Sequence, residues 1–245
     1  MKITTIRALV LCCLFLFFAS ICSARGATES NLSITTAAPH ILVVSFTDDF
    51  GLSKLPTNPL TTNTSDWKIN GTSPLSVFHR SSSVDELPKT ANGKYPILRK
   101  YWTYLVLENP LVTGESYTIE GPFGKESLIF DPQTIVCESL KVNQVSYLPS
   151  SSMRYANLGV YMGSGGSYLF PEPPSYQVLD VKSGESVISQ VAEYRGDDTV
   201  ILPTNVSSGE YLYRLDLSDV PQGGPYVVLL EGAGVSPPFY ISNEE

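Results

Sequence analysis

No window of this 245-residue chain carries a convincing helical period. Apolar, aromatic and β-branched residues come instead in short runs closed by Gly, Pro, Asn or Asp, and several of these alternate from one residue to the next. Residues 154–162 show the alternation most cleanly. Ala156, Leu158, Val160 and Met162 fall on one side, and Tyr155, Asn157, Gly159 and Tyr161 on the other. Such a chain buries its apolar side by stacking sheet on sheet, so the pattern predicts an all-β sandwich architecture.

The runs fall into two groups. In the first, residues 41–46 read as a buried strand closed by Asp48-Asp49-Phe50-Gly51. Residues 67–71 and 75–78 are short candidates, 101–107 a strong one, and 116–120 and 127–130 close the set. Residues 27–36 read as a loose leader, and 52–65 and 81–95 as polar, turn-prone connections. The second group starts with 140–149, a predicted strand whose alternation breaks at Asn143-Gln144, as a twist or bulge would make it. After the long loop 163–174, residues 176–180 and 186–191 form a predicted hairpin around Lys182-Ser183-Gly184. Residues 199–202, 211–217, 226–230 and 239–241 complete it.

The wording of Tyr104-Leu105-Val106-Leu107, Gly114, Tyr117 and Gly121 returns in Tyr213-Arg214-Leu215-Asp216, Gly223, Tyr226 and Gly232. The offset is about 110 residues, the size of one immunoglobulin-like domain, and supports two copies of one fold. Tyr117 and Tyr226 are placed to anchor a corner by their hydroxyls, a structural role.

The formal net charge is -8, and no stripe of Lys or Arg is visible, which argues against nucleic acid and anionic membranes as partners. A basic start, an apolar run at 8–21 and small residues at 22–24 read as a secretory signal peptide, too short to anchor in a membrane. The expected location is extracellular. Cys12, Cys13 and Cys22 lie in that segment, which leaves Cys137 without an internal disulfide partner: a buried inert thiol, or a reactive or partner-linked one. Asn31, Asn63, Asn70 and Asn205 open N-glycosylation sequons.

No constellation of catalytic or metal-ligating residues is visible. Asp48-Asp49 and Asp197-Asp198 read as solvated turns, since neighbouring side chains in a strand or turn diverge. A calcium site from the second pair with Glu193 lacks supporting spacing. His40 and His79 are the only histidines and sit in no nucleophile motif. No cofactor is implied. Sugar binding needs exposed aromatic faces, for which Trp67, Tyr101 and Trp102 are the candidates, against the alternative that one tryptophan belongs to the core. Tyr168 and Phe170, in a loop bracketed by Gly and Pro, are candidates for sugar contact or for docking on a neighbouring domain.

Leu140-Lys141-Val142-Asn143-Gln144-Val145-Ser146-Tyr147-Leu148-Pro149 is similar to the "hKVNQVGYLP" stretch, with Ser146 where glycine is usual, that opens the N-terminal immunoglobulin-like domain of family-nine cellulases, and the second group as a whole resembles that domain. Tyr176-Gln177-Val178-Leu179-Asp180 is similar to "F-x-V-x-D", and 208–218 to "SGE-x-V-Y-R-L-D-F-S". Gly223-Gly224-Pro225-Tyr226 and Pro238-Phe239-Tyr240-Ile241 are similar to the closing motifs. In the enzymes resembled, a barrel of paired helices follows and holds the catalytic aspartates and glutamate. None of those residues has a counterpart here, so the resemblance implies an accessory domain rather than an activity.

The resulting expectation is a signal peptide at 1–24, a first immunoglobulin-like β-sandwich at 28–136 and a cellulase-type one at 137–245. The function implied is the non-catalytic portion of a secreted glycoside hydrolase, stabilising or positioning a catalytic domain. The alternative is a stand-alone secreted protein that binds polysaccharide or another protein.

Overall fold

The computed structural model describes residues 32–47, 60–86, 93, 97–200 and 207–243. The expectations for the signal segment, for Asn31 and Asn205, for Asp48-Asp49 and for residues 201–202 lie outside them. By its contacts Asn31–Glu245 forms one compact unit. Regular structure among the described residues is strand throughout, apart from short 3-10 turns at Thr64–Asp66 and Gly163–Gly165.

In chain order the strands are β1 (Ser33–Ala38), β2 (Ile41–Thr47), β3 (Lys68–Ile69), β4 (Ser76–Glu86), β5 (Ile97–Val106), β6 (Ser116–Gly121) and β7 (Gly124–Ile129). These are followed by β8 (Leu140–Lys141), β9 (Tyr155–Leu158), β10 (Val160–Tyr161), β11 (Ser167–Tyr168), β12 (Ser175–Asp180) and β13 (Ser186–Val191). The last are β14 (Glu193–Asp198), β15 (Glu210–Asp216), β16 (Gly223–Leu230), β17 (Gly234–Val235) and β18 (Phe239–Ile241). One sheet runs β1-β2-β5-β4 and a smaller one β3-β6-β7; β13-β12-β16-β17, with β18 also on β16, and β14-β15-β9-β8 make the larger pair, and β10-β11 is a separate ribbon.

Side-chain periodicity explains the layers. Leu42 and Val44 of β2 join Val77, Leu105, Ile119, Trp67 and Phe130 in one core. Ile41 and Val43 point the other way, into a second core with Tyr104, Leu158, Tyr176, Tyr213, Val228 and Phe239. The β1-β2-β5-β4 sheet is therefore covered on both faces, which is why residues 41–46, apolar except for Ser45, read as a buried strand. In the second core the predicted alternation holds: Ala156, Leu158, Val160 and Met162 are all buried.

Several expectations need correction. Residues 33–36 are not a loose leader but part of β1, paired antiparallel with β2. Residues 81–86, read as part of a polar, turn-prone connection, extend β4, because the long β5 offers partners as far as Ile97. Residues 140–149 are not one strand. Only Leu140 and Lys141 pair with β9; Asn143 Oδ1 then accepts from Val145 N at 3.1 Å and its Nδ2 donates to the Ser146 carbonyl at 2.6 Å. That local turn breaks the ladder and carries the chain across to Tyr147, which bridges Ile241 in the opposite sheet. The break in alternation at Asn143-Gln144 marks this crossing. Asp197 and Asp198 end a strand rather than forming a free turn, Asp198 standing opposite Glu210.

The two tyrosines differ. The Tyr117 hydroxyl accepts from Val112 N at 2.9 Å and lies 3.3 Å from Glu115 Oε2, the expected corner anchor. Tyr226 is buried by its ring against Phe239, and no hydrogen bond of its hydroxyl stands among the described residues.

Candidate functional site

A groove opens where β4 and β5 meet the Gly163–Gly165 turn and β10. Arg80 pairs with Trp102 across the β4–β5 ladder, so both side chains rise from the same face, and the guanidinium carbon lies 4.4 Å from the indole centroid. Lys100, two residues from Trp102 on that face, sits 5.0 Å from the same ring. The Arg80 Nε is buried without a hydrogen-bond partner, and Arg80 takes part in none of the ion pairs among the described residues.

The opposite wall is brought close by glycine. A Cβ on Gly163 would stand 2.0 Å from the His79 carbonyl oxygen, and one on Gly165 would stand 2.4 Å from the Phe78 ring. The glycine-rich run is thus a contact with β4, sealed by Ser164 Oγ accepting from His79 N at 3.1 Å. His79 itself is occupied. Its Nε2 lies 2.8 Å from the Thr61 carbonyl, which can only accept, so Nε2 carries the proton and Nδ1 accepts from Thr103 Oγ1. Burial lowers its pKa, against the hydrogen bond to the Thr61 carbonyl.

Beneath Arg80 a pocket of about 110 Å³ runs inward, lined by Tyr104, Glu138, Lys141, Tyr161 and Glu210 among others. Lys141 pairs with Glu210 through both carboxylate oxygens. Burial raises the Glu138 pKa, against the pull of Lys100, a hydrogen bond from Thr35 Oγ1 at 3.1 Å and the pull of Arg80. The outer groove, about 550 Å³, takes in Arg80, Ser81, Ser82, Trp102, Tyr161 and Ser164. A further open hollow of about 470 Å³ lies beyond Tyr161, among Ser167, Ser207, Ser208 and Tyr211. Tyr161, 36% exposed, borders all three.

The sequence-predicted residues are distributed differently. Trp67 is 0% exposed, a core residue whose Nε1 donates to the Thr61 carbonyl, and so presents no face to a sugar. Trp102, 8% exposed, borders the groove but is covered by two cations. Tyr101 is half-buried on the other face, stacked on Phe46. Phe170 is buried edge-on to Tyr213, and Tyr168 stacks edge-on against both Phe170 and His40. The neighbour this loop meets is the β1–β2 turn, which no sequence motif announced. Among the described residues no three His, Cys, Asp or Glu are grouped to hold a metal. Asn63 and Asn70 are exposed, whereas Cys137 is fully buried, and burial pushes its thiol pKa up against the hydrogen bonds with Ser139.

A second surface surrounds Tyr147. Its N–H donates to the Tyr240 carbonyl and its hydroxyl to that of Tyr155. Around these bonds Val145, Leu148, Met153, Tyr155 and Tyr240 expose apolar surface, Leu148 by 55% and Met153 by 68%. Just inside it Arg154 is held by four backbone carbonyls, those of Pro149, Leu217, Ser218 and Val220.

The sheets and the two cores define an all-β protein with an immunoglobulin-like segment. That segment, residues 136–235, matches the cellulase N-terminal ig-like domain family. Among solved structures, a metagenome-derived glycoside hydrolase family 9 endoglucanase is 28% identical over 42% of this chain and 18% of its own, with a TM-score of 0.34. The chain thus spans less than a fifth of that enzyme's length. No curated protein matches the chain. No helix among the described residues is long and apolar enough to cross a membrane.

Proposed function

We propose that this chain is the accessory portion of a secreted, cellulase-like glycoside hydrolase, stabilising or positioning a catalytic domain carried elsewhere. The observation that carries the reading is the match of residues 136–235 to the cellulase N-terminal ig-like family. The exposed apolar side chains near Tyr147 favour it, because grouped apolar exposure is a mark of a surface that a partner covers. On this reading residues 28–136 form a second immunoglobulin-like domain, and the leader directs the chain out of the cell.

The test is co-capture. Tagged protein expressed in its native host should retain endoglucanase activity on carboxymethyl cellulose, and a Leu148→Ser/Tyr240→Ser double variant should retain much less. Equal retention by both, with the variant folded, would sink the reading of that surface. Absence of activity with either would sink the accessory role.

A further inference from the structure

We propose that the groove at Arg80 binds a carboxylate-bearing saccharide, a uronate unit of an acidic polysaccharide, with the guanidinium as its anion receptor. The choice of a saccharide rests on the accessory reading above; the demand for a carboxylate rests on the groove itself.

Two arginines of this protein make the contrast. Arg154 is buried and satisfied by four carbonyls, so its charge has a structural role. Arg80 lies over the Trp102 ring, and no ion pair among the described residues takes up its charge. A guanidinium offers a carboxylate two parallel bonds from its terminal nitrogens, and one that no ion pair occupies is free to give them.

Charge points the same way. Around the two pockets that share Arg80, the cations are Arg80, Lys100 and Lys141 and the carboxylates are Glu138 and Glu210. Lys141 and Glu210 satisfy one another, and Glu138, which accepts from Thr35 and feels both Lys100 and Arg80, offsets one of those two cations and leaves the other. What remains for a ligand is positive, on a chain whose formal net charge is -8.

Shape selects a chain-like, hydroxyl-rich ligand. The groove is open and continues past the half-exposed ring of Tyr161 into the hollow at Ser208 and Tyr211; Ser164 and Ser208, whose Oγ atoms accept from backbone N–H groups, keep their own hydroxyl protons to donate. Tyr161 provides the aromatic edge on which a neighbouring sugar ring rests, with Gly209 packed closely under it.

The experiment is titration calorimetry of the full chain with tetragalacturonate, cellotetraose and a tetraglutamate peptide, at low salt. The expected order is tetragalacturonate well ahead of both others. Arg80→Met, which keeps the stem on Trp102, should weaken tetragalacturonate at least tenfold with the unfolding midpoint unchanged. Arg80→Lys should recover only part of the loss, and Tyr161→Ala should weaken tetragalacturonate too. The proposal is overturned if the wild type binds none of the three, binds cellotetraose or tetraglutamate as well as the uronate, or is matched by folded Arg80→Met. Uronate binding without any hydrolase partner would remove the accessory reading alone; hydrolase docking without uronate binding would remove this one alone.

Discussion

The hydroxyl of Thr36 donates to the carbonyl oxygen of Ala233 at 2.8 Å, a buried bond across 197 positions of chain. Thr36 also bridges Cys137 in parallel register, and Val136 bridges Val235 alongside. The two groups of strands are thereby joined through backbone and side chain as well as through the shared core on β2. Replacing Thr36 by Val keeps the shape and leaves the Ala233 carbonyl without this donor. It should cost about 1–3 kcal/mol in urea unfolding. Coupling of this kind also predicts a single transition, with tryptophan emission and amide exchange of β12, β15 and β16 lost together. Two resolved transitions would contradict it.

Tyr117 and Tyr226 make a matched pair for the same substitution. Tyr117→Phe removes the acceptor for Val112 N, so about 1–2 kcal/mol of stability should go. Tyr226→Phe removes a hydroxyl for which no bond stands among the described residues, and the change should be within about 0.5 kcal/mol. Chemical denaturation of the two variants checks the order.

Glu138 supplies a pH dependence with a definite sign. Burial raises its carboxyl pKa above the ordinary value near 4.5, outweighing Lys100, the Thr35 bond and Arg80. A raised folded-state value means that the folded protein holds the proton more tightly. The group's contribution is therefore fully present below the unfolded value and is lost as pH rises through the folded one. Glu138→Gln keeps an acceptor for Thr35 without the charge. Its stability relative to the wild type should increase from about pH 4 to about pH 7. Paired urea melts at several pH values give the answer; a constant difference would contradict the assignment.

The sequons at Asn63 and Asn70 should differ in glycan occupancy. The Asn63 carbonyl oxygen accepts from Ser65 N at 3.3 Å, and its amide nitrogen has no hydrogen-bond partner among the described residues. Asn70 sits at a φ of 49° with its side chain clasped to β6, Nδ2 donating to the Ser116 carbonyl and Oδ1 accepting from Thr118 N at 2.8 Å. Glycopeptide mass spectrometry of protein secreted from a eukaryotic host should find Asn63 occupied at the higher level.

Local pattern made the cores legible. Residues 41–46 and 154–162 announce burial by composition and alternation, and each lies where that pattern places it. Tyr117 announces its corner by the glycine turn before it. What the sequence conceals depends on distant partners. Residues 81–83 are three serines whose strand exists because β5 extends beside them. Residues 140–149 have strand propensity, yet the Asn143 side chain competes for the backbone and turns it. Asp197 and Asp198 look like a turn until Glu210 and Tyr211 pair with them. The groove is hidden for the same reason. Arg80 belongs to no motif and acquires its setting from Trp102 across a ladder and from the Gly163–Gly165 turn. The one sequence signal was that glycine run, whose close packing could not be told from an ordinary loop.

The central claim is tested most directly by the native species that carries residues 136–235. An antibody against that segment should capture, from the native secretion, a protein or complex several hundred residues larger than this chain and active on carboxymethyl cellulose. A captured species of this chain's own mass plus glycans, without glucanase activity, would contradict the accessory account.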